Sequence, residues 1–249
     1  MNILGIIPAR YASSRFPGKP LAIINGKSMI QRVYEQACKA KILSEVIIAT
    51  DSEAIANHIK TFNGKYIITS ENHKSGTERC NEVLEKLQVK NPEKKYDIVI
   101  NIQGDEPYIN PEQIKIVTNC FKDENVDIAT LIKKIDSQDE LTNPNVVKVI
   151  TDNDKNAIYF SRSPIPFLKN IDSKEWLKHQ NYYKHIGIYA YKSEVLKKIT
   201  KLKTGILEKA EGLEQLRWIE NGYSIKTEIT DYESHAVDVP EDILKFINN

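Results

Sequence analysis

The sequence predicts an α/β fold in which a mostly parallel sheet is covered by helices on both faces. Two patterns predict it. Short β-rich runs (Ile3 to Ile7, Val46 to Thr50, Lys65 to Ile68, Asp97 to Ile102) alternate with amphipathic segments (Met29 to Ala40, Glu53 to Lys60, Glu78 to Leu87), the rhythm of successive βαβ units. The chain has 249 residues, 41% of them hydrophobic and 28% charged, so it can bury one large core, and a single domain over 1–249 is the expectation.

The first run ends at Pro8, carries no basic segment ahead of it and is too short for a secretory leader, so it reads as a buried first strand. Met29 to Ala40 repeats Ile30, Val33, Ala37 and the stem of Tyr34 at helical spacing behind Ser28, a suitable N-cap. Further strands are expected at Ala129 to Lys133, Val146 to Thr151, Ile158 to Ser161, Ile186 to Tyr191 and Tyr223 to Ile229, with a terminal helix after Pro240. Residues 162–184 hold prolines, aromatics and lysines in neither period (Pro164, Pro166, Phe167, Trp176, Tyr182, Tyr183). They read as an excursion from the sheet, a substrate lid or a contact between copies of the chain.

Thirty-five Lys plus Arg against 34 Asp plus Glu leave a formal charge of +1, so no global field calls for nucleic acid or an anionic membrane. No stretch approaches the length of a membrane span. Cys38, Cys80 and Cys120 are odd in number and widely spaced. They suit a reducing, cytoplasmic location, and each is expected as a small buried hydrophobe.

Ligands of parallel α/β sheets gather at the carboxyl ends of strands. The loop after the first strand reads Pro8-Ala9-Arg10-Tyr11-Ala12-Ser13-Ser14-Arg15-Phe16-Pro17-Gly18-Lys19-Pro20, and Met1 to Tyr34 carries five bases (Arg10, Arg15, Lys19, Lys27, Arg32) with no acid. That asymmetry predicts a polyanion site, since Arg offers forked donors, Lys a compact charge and small residues leave backbone amides accessible. The other reading is a solvated loop held by prolines. Neither a Walker loop nor a G-x-G-x-x-G is present.

The fourth run ends in Gln103-Gly104-Asp105-Glu106-Pro107. Carboxylates there suit a hard cation shared with triphosphate oxygens, and Asp105 is the expected ligand; alternatively the pair shapes a turn before a helix starting at Asn110 or Pro111. Near the C-terminus, Asp238 follows a short β-like run. Glu241 and Asp242 are explained as dipole partners of the helix begun by Pro240, which leaves Asp238 to converge with Asp105 on magnesium. Ser75 or Thr77 serves as an N-cap or a ligand contact, His185 as a half-buried histidine or a site residue, and Glu214 as first-turn charge or a site residue.

Taken together, Ile7-Pro8-Ala9-Arg10, Ser13 through Leu21, Ser75-Gly76-Thr77-Glu78-Arg79, Gln103 through Pro107, His185-Ile186-Gly187-Ile188-Tyr189, Leu213 through Arg217 and Val237 through Asp242 resemble, in order and over nearly the whole chain, the 3-deoxy-manno-octulosonate cytidylyltransferase (CMP-Kdo synthetase) family. The resemblance implies a Rossmann-like fold of the nucleotide-diphospho-sugar transferase type, a homodimer, and a smaller excursion for dimerisation or sugar binding. It also implies a magnesium-dependent reaction in which CTP and Kdo give CMP-Kdo and pyrophosphate for lipopolysaccharide assembly. On matching positions, Arg10, Arg15 and Lys19 would hold the triphosphate, with Arg15 and Lys19 steadying the departing pyrophosphate. Ser75, Arg79 and Gln103 would hold the cytidine nucleotide, and Asp105 and Asp238 the magnesium. Gln103, Arg162, His185, Tyr189, Glu214 and Gln215 would surround the sugar acid, Arg162 facing its carboxylate. No family motif falls in Lys169 to Lys184 or Gln88 to Lys95.

The alternatives are a cytidylyltransferase for 8-amino-Kdo or a sialic-type acid, a glycosyltransferase, and an anion-binding module that turns nothing over. A glycosyltransferase would favour Asp-x-Asp where this chain reads Gly104-Asp105-Glu106.

Overall fold

The computed structural model describes residues 1–12 and 15–247. Along the chain run β1 (Ile3–Ala9), β2 (Ile23–Ile24), β3 (Lys27–Ser28), α1 (Met29–Lys39), β4 (Glu45–Thr50), α2 (Glu53–Thr61), β5 (Tyr66–Ile68), α3 (Gly76–Lys90), β6 (Ile98–Asn101) and α4 (Pro111–Asn119). There follow β7 (Ile128–Lys134), α5 (Gln138–Thr142), β8 (Lys148–Thr151), β9 (Ala157–Ser161), α6 (Trp176–His179), β10 (Tyr183–Lys192), α7 (Ser193–Ile199), α8 (Ile206–Glu211), α9 (Gln215–Glu220), β11 (Ile225–Ile229) and α10 (Leu244–Ile247). The chain forms two compact units, Met1–Lys115 with Ala190–Thr200 and 234 onward, and Ile116–Tyr189 with Lys201–Glu233.

In the first unit β6, β1, β4 and β5 lie side by side, all parallel. Ile3, Leu4, Ile6 and Ile7 of β1 and Val46 to Thr50 of β4 are buried, as apolar runs covered on both faces must be. Parallel pairing puts the carboxyl ends of these strands on one edge, so the loops beginning at Arg10, Asp51, Thr69 and Ile102 share a rim. Helix starts follow local chemistry: α1, α2, α3 and α5 each begin behind a serine (Ser28, Ser52, Ser75, Ser137) whose hydroxyl accepts from the amide three residues on. α1 buries Met29, Ile30, Val33 and Ala37. Cys38, expected inside, is exposed, because it lies about 100° round the helix from Ala37, which takes the inward position; Cys80 and Cys120 are buried.

The segment before Asp238, expected as β-like, has no strand conformation. Tertiary contacts fix it instead. Val237 is fully buried with Ile24 and Met29, flanked by Phe16, Ala22, Ile243 and Phe246, and its amide donates to the Asp105 carbonyl at 2.9 Å.

In the second unit β11 pairs parallel with β7, β7 neighbours β10, and β8 runs antiparallel to both β10 and β9. The 162–184 excursion packs inward: Trp176 and Tyr182 stack at 6.1 Å and share a cluster with Ile135 and Leu141. Their polar ends are satisfied, Trp176 Nε1 donating to the Ile171 carbonyl at 3.0 Å and Tyr182 Oη to the Pro166 carbonyl at 2.7 Å. The short helices α7, α8 and α9 carry too few turns to show a period in the sequence. Among the described residues no helix is long and apolar enough to cross a membrane.

Ser28 is the test of the capping argument. Its hydroxyl accepts from Gln31 N at 3.2 Å and lies 2.7 Å from His58 Nε2. Ser28→Ala is expected to lower stability by about 1–2 kcal/mol, read as a melting midpoint roughly 2–8 °C lower.

Candidate active site

At the rim of the first unit an open cavity of about 270 Å³ is lined by Pro8, Ala9, Arg10, Arg15, Lys19, Pro20, His73, Lys74, Ser75, Gly76, Arg79, Gln103, Gly104, Asp105 and Asp238. The eight first-unit residues singled out in the sequence, Arg10, Arg15, Lys19, Ser75, Arg79, Gln103, Asp105 and Asp238, all border it. Five cationic side chains (Arg10, Arg15, Lys19, Lys74, Arg79) face two carboxylates, Asp105 and Asp238. The excess of positive charge favours a polyanion.

Each part of the wall has a local cause. The loop after β1 turns at Gly18, whose φ of +70° suits glycine and whose amide donates to the Tyr11 carbonyl at 3.0 Å. The turn brings Lys19 inward, and its Nζ donates to Asp105 Oδ2 at 2.7 Å and to the Val237 carbonyl at 2.8 Å. Arg15 Nη2 donates to Asp238 Oδ1 at 2.9 Å. Arg10 makes no side-chain hydrogen bond among the described residues and is exposed. Gly104 is required by close approach: a Cβ there would stand 2.4 Å from the Pro8 carbonyl oxygen, so only glycine lets the β1 and β6 loops meet.

The opposite wall is the N-terminus of α3. Ser75 is its cap, with Oγ 3.2 Å from Glu78 N, and it also borders the cavity. The first amides of a 15-residue helix therefore lie at a rim suited to negative charge. Arg79 is buried, donating from Nη2 to Asp51 Oδ2 at 2.7 Å and from Nη1 to Thr69 Oγ1 at 2.5 Å. It braces the wall it lines. Asp51, missed in the sequence, follows β4 at the same strand-end rim that pointed to Arg10 and Asp105, so that rule would have found it.

His73, which the sequence did not single out, lines the cavity beside Lys74, the first residue of the polar run that leads into α3. The loop they sit on is held by Glu82, whose Oε2 accepts from Ser70 N at 2.8 Å and lies 2.5 Å from His73 Nε2, while Oε1 pairs with Lys86 at 2.8 Å. Burial alone would raise the Glu82 pKa, but these partners bring it down to about 2. Glu106, beside Asp105, goes the other way: burial first, then the Asp105 charge, raises it to about 7 against a hydrogen bond with Ser234.

In the second unit, Arg162 Nε donates to the Glu211 carbonyl at 2.6 Å and Nη1 to the Pro144 carbonyl at 2.9 Å, which fixes the guanidinium plane. Its Nη2 has no hydrogen-bond partner among the described residues. His185 on β10 lies 3.0 Å from Thr130 Oγ1 and 5.1 Å from the Tyr189 ring. Burial and the Glu214 carboxylate keep the Tyr189 phenol protonated well above its usual range. Glu214 stands at the N-cap of α9 without a side-chain capping bond, and Gln215 is buried in the first turn.

Glu82 gives a pH-dependent test. A carboxyl whose folded pKa lies below its unfolded value stabilises the fold above the unfolded pKa, and that stabilisation is lost as pH falls from about 4.5 toward about 2. Glu82→Gln should therefore be less stable than wild type at neutral pH, with the gap narrowing steadily in urea titrations repeated from about pH 5 down to about pH 3.

A family profile described as Cytidylyltransferase matches residues 4–229. A 3-deoxy-manno-octulosonate cytidylyltransferase of Parabacteroides distasonis is 52% identical, covering 98% of this chain and 96% of its own length. An 8-amino-3,8-dideoxy-manno-octulosonate cytidylyltransferase of Shewanella pealeana is 47% identical over the same shares, 98% and 96%. Among solved structures, CMP:2-keto-3-deoxy-manno-octonic acid synthetase complexed with CTP superposes with a TM-score of 0.89 at 40% identity, over 98% of this chain and 96% of that one. Profile, full-length relatives and fold agree, and the chain belongs to the cytidylyltransferase family, within its 3-deoxy-manno-octulosonate cytidylyltransferase branch.

Proposed function

We propose that the protein transfers the cytidylyl group of CTP to Kdo, releasing pyrophosphate, as a magnesium-dependent cytoplasmic homodimer that supplies CMP-Kdo for lipopolysaccharide assembly. The observation that carries the reading is the cavity in which the cations of the β1 loop meet two carboxylates separated by more than a hundred residues.

Two of the cavity's cations are paired with its carboxylates, Lys19 with Asp105 and Arg15 with Asp238. Binding CTP exchanges these partners. Arg10, Arg15 and Lys19 turn to the triphosphate, and the two carboxylates are released. Asp105 and Asp238 fit magnesium, because they are hard oxygen donors on the wall of a phosphate-sized cavity and the remaining ligands of such an ion are phosphate oxygens and water. When bound, magnesium supplies charge neutralisation and orientation of the phosphates.

The remaining work falls to the chain's own groups. Ser75, the α3 amides and Gln103 hold the nucleotide, with Arg79 bracing that wall. Arg162 presents its unpaired Nη2 to the sugar carboxylate, a planar donor for a planar acceptor, and His185, Tyr189, Glu214 and Gln215 take the hydroxyls. The anomeric hydroxyl oxygen then forms a bond to the α-phosphorus as the bond to the β-phosphate bridging oxygen breaks. Arg15 and Lys19 hold the charge that develops on pyrophosphate. Positioning and electrostatics provide the acceleration, with no covalent enzyme intermediate.

Pyrophosphate release from CTP should be fastest with Kdo in a panel that includes 8-amino-Kdo and a sialic acid; a faster rate with the amino sugar would transfer the assignment to that substrate. Asp105→Asn and Asp238→Asn should each lower kcat on the order of 10²-fold or more with an unchanged melting curve. Chelation by EDTA should abolish turnover and added magnesium restore it. Full activity in EDTA would remove magnesium from the scheme.

A further inference from the structure

Thr130 is fully buried in β7 of the second unit, and its hydroxyl is surrounded. Oγ1 lies 2.7 Å from the Ile188 carbonyl oxygen, 3.2 Å from that of Ile186 and 3.0 Å from His185 Nε2. A threonine hydroxyl has one proton and two lone pairs. A carbonyl oxygen only accepts, so at 2.7 Å the single proton must point to Ile188. What remains on Oγ1 is two lone pairs, so His185, 3.0 Å away, must donate an Nε2 proton.

That count decides the imidazole's tautomer. Burial pushes the His185 pKa down to about 3, so the ring is neutral and carries one proton, which the threonine has already claimed for Nε2. Nδ1 is then a bare acceptor, with no hydrogen-bond partner among the described residues. Phe160 meets the ring edge-on at 5.3 Å and 84°, and Tyr189 tilts against it at 5.1 Å. His185 is only partly covered, which leaves an edge within reach of a ligand.

We propose that Thr130 is a positioning residue of the sugar-acid subsite, holding His185 as the Nε2–H tautomer so that Nδ1 accepts a hydrogen bond from a sugar hydroxyl. This rests on the functional reading above. It also sorts the two ends of the substrate. A lone-pair acceptor near the Glu214 carboxylate, whose charge acts on Tyr189, repels a carboxylate and attracts hydroxyls, so the acid group is left to Arg162.

The test joins a spectroscopic and a kinetic readout. In histidine-labelled wild type, the nitrogen shifts of His185 should show a protonated Nε2 and an unprotonated Nδ1, unchanged between about pH 5.5 and 8. Thr130→Val should mix the tautomers and raise KM for Kdo roughly three- to tenfold, the worth of one neutral hydrogen bond, with KM for CTP within twofold of wild type. Thr130→Ser, which keeps the hydroxyl, should restore both. A protonated Nδ1 in the wild type, a ring that titrates near neutrality, or a valine variant with unchanged KM for Kdo would each overturn the assignment. If wild type fails to turn over Kdo with CTP, the functional reading falls, while the nitrogen shifts still decide the tautomer.

Discussion

The site depends first on the ammonium of Lys19, which joins three parts of the first unit that the sequence keeps far apart: the β1 loop, the end of β6 at Asp105, and the C-terminal segment at Val237. Its weight can be ranked against its neighbour. The Lys19 and Asp105 side chains are 15% and 27% exposed, whereas Arg15 and Asp238 are 65% and 49% exposed. An exposed pair is worth about 0–1 kcal/mol, but removing one member of a largely covered pair strands a charge and costs several-fold more. Lys19 therefore organises the cavity, and Arg15 is an adjustable arm on its edge.

Packing supports the same point from beneath. Val237 is pinned between Ile24 and Met29, with Phe16 and Phe246 around it, so the residue before Asp238 is fixed by apolar burial while Asp238 itself stays accessible. Gly104 lets the β6 loop touch the backbone of Pro8. The two aspartates meet the β1 loop through packing, a backbone hydrogen bond and a missing side chain, none of which involves the ligand. Such a preformed site loses little to reorganisation when charge develops.

How much of this was legible in the sequence follows from the range of the interactions. Strands β1, β4, β5 and β6 and helices α1 to α3 were readable because burial and serine caps act within a few residues. The basic loop and the Gly-Asp-Glu turn stood out because a strand end is where such groups converge. Cys38 misled because one step round a helix changes inside to outside. The β-like run before Asp238 misled because its apolar residue is held by a cluster and not by a sheet. Short α7, α8 and α9 lacked the turns needed for a period. Asp51 was open to the strand-end rule, but Glu82 and Thr130 were invisible as supports, since each acts through a side chain on another segment (His73 and His185) and only coordinates show whom a side chain touches.

The most direct test of the central claim is calorimetric titration of CTP with magnesium into Lys19→Met. The account predicts binding weakened at least about thirtyfold, the consequence of truncating one partner of a covered charge pair that also grips the triphosphate, in a protein that still folds. Affinity within twofold of wild type would contradict it.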